Sequence, residues 1–267
     1  MAKQTGLLKY SGNLGGISHY KMKGVKGDLA KVANGPSKEQ IATDPKFKRT
    51  RENNAEFGVS AKAGKSMRVG LASVIKNFAD PQVVGRITKV FKAINLEGVG
   101  DRGKRPIDIS LNKNHLIGFE FDKITSFSTI FTAPFSCSEN AARNESTLTI
   151  PSFVPLDYIN APAGATHFRI LNGITVLSDV RWNNTSKTYE VVEPDMDTIN
   201  ILEYSNYLPI DSTIAGNTTI VAALPGAPTM SVDVSALNVI GIEFYQEVNG
   251  AYYLFASGNA MKVGNVF

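Results

Sequence analysis

The chain has 267 residues, 43% of them hydrophobic, and a formal net charge of +4. That length supports one large core or two ordinary ones, and the apolar share is too high for a disordered chain. No run of about 18 apolar residues occurs, which argues against a membrane-spanning helix, and the single cysteine, Cys137, excludes an intrachain disulfide or a thiolate metal cluster.

The net charge hides an asymmetry. Residues 1–115 carry 22 Lys+Arg against 9 Asp+Glu, whereas residues 116–267 carry 6 against 15. Such a chain attracts an anionic polymer, attracts its own neighbour head to tail, or neutralises itself within one fold. The N-terminal residues lack an apolar h-region and a small-residue cleavage site, so the chain is expected to be cytoplasmic at synthesis. Release in an extracellular or phage-like assembly is the alternative.

Residues 1–37 are studded with glycines at positions 6, 12, 15, 16, 24, 27 and 35. Between them lie short stretches with strand character, 7–10, 17–20 and 29–32. Glycine at this density permits tight turns and close backbone approach but weakens independent folding. The expectation is an extended basic arm, either disordered until bound or laid along another surface as added strands.

Residues 35–53 form the joint between this arm and the chain's strongest helical pattern. Thr43 or Asp44 can N-cap a helix with Pro45 at its first position, where the missing N–H is harmless. Phe47, Phe57, Ala61, Gly64, Met67, Leu71, Val74, Ile75 and Phe78 then recur at roughly helical spacing. The first turns are basic (Lys46, Lys48, Arg49, Arg51) and face solvent or a charged partner. Asp80-Pro81 repeats the capping device, and a second helix with the face Val83, Ile87, Val90, Phe91 and Ile94 runs to about Leu96. A short link makes the two helices a hairpin.

A charged, glycine-rich connector, 97–115, precedes a change of texture. Candidate strands are 116–121, 128–131, 147–153, 166–171, 174–182, 188–193, 198–204, 218–224, 229–234, 239–248, 251–256 and 261–266. They are rich in Val, Ile, Thr, Phe and Tyr and are separated by Gly, Pro, Asn and Asp, the pattern of an antiparallel sandwich or barrel. Asn249-Gly250 suits a type I′ hairpin turn. The stretch 116–121 echoes 239–244, which would suit neighbouring strands without establishing a repeat. The expected fold is α+β and mainly β, in three parts: the arm 1–37, the helical hairpin and connector 38–115, and the β body 116–267.

No pattern announces catalysis, a cofactor or a metal. The stretch 58–66 has five residues between its glycines where a P-loop has four, and it lies inside a helical pattern. His19, His115 and His167 are dispersed. Asp195 and Asp197 alternate, but no EF-hand glycine or terminal glutamate follows them. No Gly-x-Ser-x-Gly elbow occurs. Asn144, Asn183, Asn184 and Asn217 fit a glycosylation acceptor pattern, which has meaning only in a secreted chain.

The first eighty residues carry Gly12-x-x-Gly15 followed by Tyr20, then Gly35-Pro36-Ser37, Gln40-Ile41 and Asp44-Pro45-x-Phe47-x-Arg49-Thr50-Arg51-Glu52-Asn53. Ala63-Gly64-Lys65-Ser66-Met67-Arg68 closes the set. In these features the chain resembles a group of uncharacterised proteins from Bacteroidota genomes, with patchier likeness at 118–121 and 161–168. Members of that group often have arginine near position 31, where this chain has Lys31. The resemblance implies a bacterial or phage-like origin and no activity.

These features lead to the expectation of a non-enzymatic structural subunit that self-assembles head to tail into a filament, tube or particle. The N-terminal arm would add strands to a neighbouring subunit, through Leu7, Leu8, Tyr10, Ile17, Tyr20, Lys46, Phe47, Lys48, Arg49 and Arg51. The alternative is a nucleic-acid-binding accessory protein gripping phosphates with Lys9, Lys21, Lys23 and the basic helix start, with Tyr10, Tyr20 and Phe47 stacking on bases. A ligand- or carbohydrate-binding module is the third reading, with Trp182, Tyr252 and Tyr253 as its aromatic candidates.

Overall fold

Glycine turns fold the first thirty-odd residues back on themselves. The computed structural model describes residues 2–22, 24–33 and 35–267, and the chain divides into two compact units, Met1–Arg51 and Glu52–Phe267. In the first, β1 (Ala2–Lys3), β2 (Gly12–Leu14), β3 (Ile17–Lys21) and β4 (Asp28–Val32) form an antiparallel sheet in the order β1-β4-β3-β2. Gly15 and Gly16, at φ 56° and 76°, make the two-residue turn between β2 and β3, a conformation L side chains avoid. The segment expected as an extended arm thus pairs with itself. Of its three strand-like stretches, the last two match β3 and β4, while 7–10 belongs to no strand.

Helix α1 (Lys38–Thr43) opens with a capping box, in which Gln40 N–H donates to Ser37 Oγ at 3.0 Å and Ser37 N–H donates to Gln40 Oε1 at 2.8 Å. Asp44 caps the next turn by accepting from Lys46 N–H at 2.9 Å, with Pro45 first in a 3₁₀ turn that leads into α2 (Lys48–Gly70). The division between the units falls inside α2, away from the expected boundaries at 37/38 and 115/116.

In the second unit α2 buries Glu56, Val59, Ser60, Ala63, Gly64, Met67 and Gly70. Phe57, expected on the inner face, points outward and is 60% exposed. The inner stripe is built of small residues because the neighbours come close: a Cβ on Gly64 would lie 2.8 Å from Ile87 Cγ2. The expected single helix to residue 78 ends at Gly70, and α3 (Ile75–Phe78) follows after a turn. Asp80 accepts from Gln82 N–H at 2.6 Å ahead of α4 (Val83–Glu97). Gly64 beside Ile87 and Phe91, with Glu56 beside Lys92, sets α2 and α4 antiparallel, as a hairpin.

The rest is strand with short helices: α5 (Phe127–Ile130), β5 (Ser136–Glu139), β6 (Glu145–Ile150), α6 (Pro155–Tyr158), β7 (His167–Ser178), β8 (Val180–Asn183) and β9 (Thr188–Val191). Then come β10 (Asn200–Tyr204), β11 (Leu208–Pro209), β12 (Thr218–Ala223), β13 (Val234–Val248), β14 (Ala251–Leu254) and β15 (Ala260–Val266). β7 and β13 are the axis of a six-stranded antiparallel sheet, β10-β7-β13-β14, with β11 on β7 and β15 on β13. A three-stranded sheet, β12-β6-β5, and the ribbon β8-β9 complete it.

Alternation along β7 and β13 fixes the layers. Leu171, Leu177, Leu237 and Val239 share a core with Met67, Leu71, Ile87 and Phe91 of the helical side. Phe168, Ile170, Ile240, Ile242 and Phe244 share another with Leu148, Ile150 and Ile220 of the small sheet. The helical hairpin, large sheet and small sheet are therefore stacked, and the chain is α+β and mainly β.

Several expected strands are corrected. The stretches 166–171 and 174–182 are joined through Asn172-Gly173, which lies inside β7; 128–131 is mostly α5; 229–234 is loop until β13 begins at Val234. Residues 116–121 are not a strand, but Gly118 N–H donates to Val263 O at 2.9 Å and Phe121 N–H to Met261 O at 3.0 Å. They thereby flank β15 on the side opposite 239–244. Asn249 and Gly250 take φ 52° and 82°, as a type I′ turn requires.

Candidate assembly surface

The register of the N-terminal sheet places apolar side chains in a row. Leu14 faces Ile17 across β2–β3, and Ile17 faces Val32 across β3–β4. All three are exposed. In the next row, on the same face, Gly12, His19, Ala30 and Ala2 stand side by side, with the Tyr10 ring 5.7 Å from that of His19. The opposite face pairs Tyr20 with Leu29 and holds Lys31 Nζ 5.6 Å over the Tyr20 ring.

Among the described residues of this unit only Leu29 is buried. A sheet whose described residues are nearly all exposed has little independent stability, because its apolar face meets water. The unit is also basic, with 11 Lys+Arg against 3 Asp+Glu, whereas residues 52–267 carry 17 against 21.

The expected interface residues fall into two groups. Leu7 (103% exposed), Leu8 (75%), Tyr10, Ile17 and Tyr20 lie on the sheet or its connecting loop. The second group belongs to the helix start. Lys46 pairs with Asp44 Oδ2 at 3.0 Å and stands 5.5 Å from the half-buried Phe47 ring. Lys48 and Arg49 lie on the exposed first turn of α2. Arg51 is committed inward, donating to Ile41 O at 2.8 Å and Asp44 O at 2.9 Å, and so closes the C-terminus of α1. Lys23 lies outside the described residues. Leu14 and Val32 were not among the expected residues; the signal for them was the alternation in 17–21 and 28–32 together with the turn at Gly15-Gly16.

In the second unit the polar residues that the sequence singles out are mostly engaged within the fold. Asp197, flagged in an acidic turn, accepts from Ser66 Oγ at 2.6 Å and Ser178 N–H at 3.1 Å. Among the described residues no cluster of three or more His, Cys, Asp or Glu is arranged to hold a metal ion. His115 pairs with Glu97 at 2.6 Å, and His167 packs edge-on to Tyr252 at 5.0 Å. Residues 58–66 are helical throughout. Trp182 packs edge-on to Tyr189 against the helical core.

Cys137 is half-buried in β5, its Sγ 3.1 Å from Ser146 Oγ, and burial pushes its thiol pKa up. Ser146 belongs to a fully buried polar knot: Asn238 Nδ2 donates to Ser146 Oγ at 3.1 Å and to Asn172 Oδ1 at 2.8 Å. Asn172 Nδ2 in turn donates to Ser146 O and Ile220 O, both at 2.9 Å. These bonds lock the two sheets in register, since each amide would be left unpaired by a slip. A shallow apolar groove of about 650 Å³ runs between α2 and α4, lined by Phe57, Ala61, Val84, Thr88, Ala93 and Leu96 among others.

Among the described residues no helix is long and apolar enough to cross a membrane. No family model matches the chain, and no curated protein matches it.

Proposed function

We propose that this chain is a non-enzymatic structural subunit that assembles head to tail, its basic N-terminal sheet packing on the β body of the next copy. The observation that carries this reading is the exposed row Leu14–Ile17–Val32 on a sheet that, among the described residues, buries only Leu29. Face-to-face pairing of two such sheets would set two strongly basic units together. An acidic acceptor removes that repulsion, and residues 52–267 have the acidic excess. A heterologous contact of this kind closes into a ring or propagates as a filament, according to the rotation it imposes.

The test is full-length protein with Leu14→Lys, Ile17→Lys and Val32→Lys combined, compared with wild type by light scattering and negative-stain microscopy. Wild type should form rings or filaments, and the variant should remain monomeric with unchanged circular dichroism. Monomeric wild type at all concentrations, or identical assemblies from the variant, would overturn the reading.

Nucleic-acid binding is the second reading, favoured by Lys31 over the Tyr20 ring within a basic unit. It requires affinity for DNA or RNA that falls steeply with salt. Retention on a phosphate resin without retention on nucleic acid at moderate salt counts against it.

A further inference from the structure

The edges of the six-stranded sheet are treated unequally. The outer side of β15 is covered by residues 118–121, with Val263 N–H donating to Phe119 O at 2.9 Å alongside the two bonds already given. β10, at the other end, lies against β12. β14 pairs with β13 on one side, and among the described residues its other side has no backbone partner.

All four residues of β14 are exposed, and three are large and apolar: Tyr252, Tyr253 (60% exposed) and Leu254. The strand contains no lysine, proline or glycine, the devices that keep edges from pairing. Nor is it frayed. Tyr252 stacks flat on Tyr207, with centroids 3.8 Å apart and planes at 5°. Across the ladder from Tyr252 stands Glu247, whose side chain is 40% exposed.

We propose that β14 accepts residues 7–10 of a second copy as an added strand, an assignment that rests on the self-assembly reading above. Leu7 is fully solvated, Leu8 is 75% exposed, and neither belongs to a strand. Pairing the segment elsewhere breaks no ladder and exchanges only exposed bonds to Gln4, from Tyr10 N–H to Oε1 at 3.0 Å, from Gln4 Nε2 to Tyr10 O at 3.3 Å and from Lys9 Nζ to Gln4 O at 2.6 Å. As a strand, this segment sets Leu8 and Tyr10 on one face and Leu7 and Lys9 on the other. Tyr252 and Leu254 offer an apolar surface on one side of the edge, and Tyr253 does so on the other. The donor belongs to a unit with 11 Lys+Arg against 3 Asp+Glu and the acceptor to one with 17 against 21, so their charges are complementary. Pairing of two β14 edges with each other would instead join two units that share the same acidic excess.

The experiment places p-benzoylphenylalanine at position 253 of isotope-labelled full-length protein, mixes it with unlabelled wild type and maps inter-chain photocrosslinks by mass spectrometry. Light scattering on the same mixture reports assembly. Crosslinks should fall on residues 7–10 of the unlabelled chain and drop about tenfold when that chain carries Leu7→Lys and Leu8→Lys, as loss of about 1.4 kcal/mol implies. Crosslinks between two copies of residues 251–254, or to another segment, overturn the donor assignment and leave self-assembly standing. Assembly without any inter-chain crosslink overturns β14 as acceptor, also leaving self-assembly standing. If neither crosslinks nor assembly is seen, both the donor-strand assignment and the self-assembly reading fall.

Discussion

Glu56 and Arg105 meet through two parallel hydrogen bonds, Nε to Oε1 at 2.8 Å and Nη2 to Oε2 at 2.7 Å, at a carboxylate with no exposed surface. Lys92 Nζ adds a third bond at 2.6 Å and Gly103 N–H a fourth at 2.8 Å. One side chain thus ties α2 to α4 and to the connector that follows. Glu56→Gln keeps the shape but leaves two partly buried cations without their counter-charge. Breaking a buried pair from one side costs about 3–5 kcal/mol, so the urea midpoint should fall sharply. A change under about 1 kcal/mol, the range of an exposed pair, would show the cluster to be dispensable.

The same carboxylate makes stability depend on acid. Burial pushes its pKa up, but Arg105, Lys92 and the Gly103 N–H outweigh burial and hold it at about 2, below its ordinary 4.5. A depressed folded pKa contributes stability above the unfolded value, and that stability is lost as pH falls from 4.5 toward 2. Burial likewise pushes Asp80 up, and the N–H groups of Lys123 and Gln82 with Arg86 pull it below its ordinary range, with the same sign. Asp179, raised by burial despite bonds from Ser110 and Ile109, works in the opposite direction. Unfolding free energy should drop by on the order of 2–3 kcal/mol across this window, and Glu56→Gln should flatten the profile.

Gly70 should tolerate no side chain. It sits directly against Thr175 on the helix-facing side of β7, where a Cβ would collide with Oγ1 and approach the threonine Cβ to 2.9 Å. Gly70→Ala gains helix propensity of about 1 kcal/mol, but overpacking costs about 1–3 kcal/mol. The net effect should be destabilising by chemical denaturation. Adding Thr175→Ala removes the colliding hydroxyl and should recover part of the loss. Strict additivity of the two substitutions would show that the glycine is not there for close approach.

How far these features were legible differs by element. The hairpin was written in Asp44-Pro45, Asp80-Pro81 and the steps of α4, because caps and periodicity are local physics. The inner face of α2 was legible only in part: Gly64 and Met67 stood in the helical pattern and are buried, but Glu56, Ser60 and Ala63 beside them are small or charged and carry no hydrophobic signal. Asn172-Gly173 reads as a turn, yet it continues β7 because Asn172 satisfies its amide within the buried knot. Residues 116–121 alternate like a strand but contribute only isolated bonds to β15. Within the candidate surface, Ile17 and Tyr20 were readable from alternation. The row with Leu14 and Val32 depends on register set by Gly15-Gly16, and charge alone does not reveal that Arg51 turns inward to cap α1.

Cys137 should be a poor nucleophile. Burial raises its pKa, the Ser146 hydroxyl only partly offsets that, and nearby Glu139 raises it further. A raised pKa leaves less thiolate at neutral pH, and the thiolate is the reacting species. Alkylation by iodoacetamide at pH 7.5 should therefore be slower in the native protein than in urea. Equal rates would mean that β5 opens freely and that its pairing with β6 is weak.

Under the proposed head-to-tail assembly, salt should weaken association and shift its character. The Debye length contracts from about 10 Å at 0.1 M to about 3 Å at 1 M, which screens attraction between a basic N-terminal unit and an acidic neighbour. The Leu14–Ile17–Val32 row is apolar and not weakened by screening. The onset concentration for light scattering should therefore rise with sodium chloride and level off, rather than diverge, once only apolar contact remains. Replacing Lys21 and Lys31 by glutamate should reproduce the high-salt onset at low salt, because both substitutions remove the same attraction. Assembly whose onset ignores both salt and charge reversal would mean that apolar contact acts alone and the charge asymmetry serves some other end. Onset that disappears unless DNA is added would transfer the basic unit to the nucleic-acid reading.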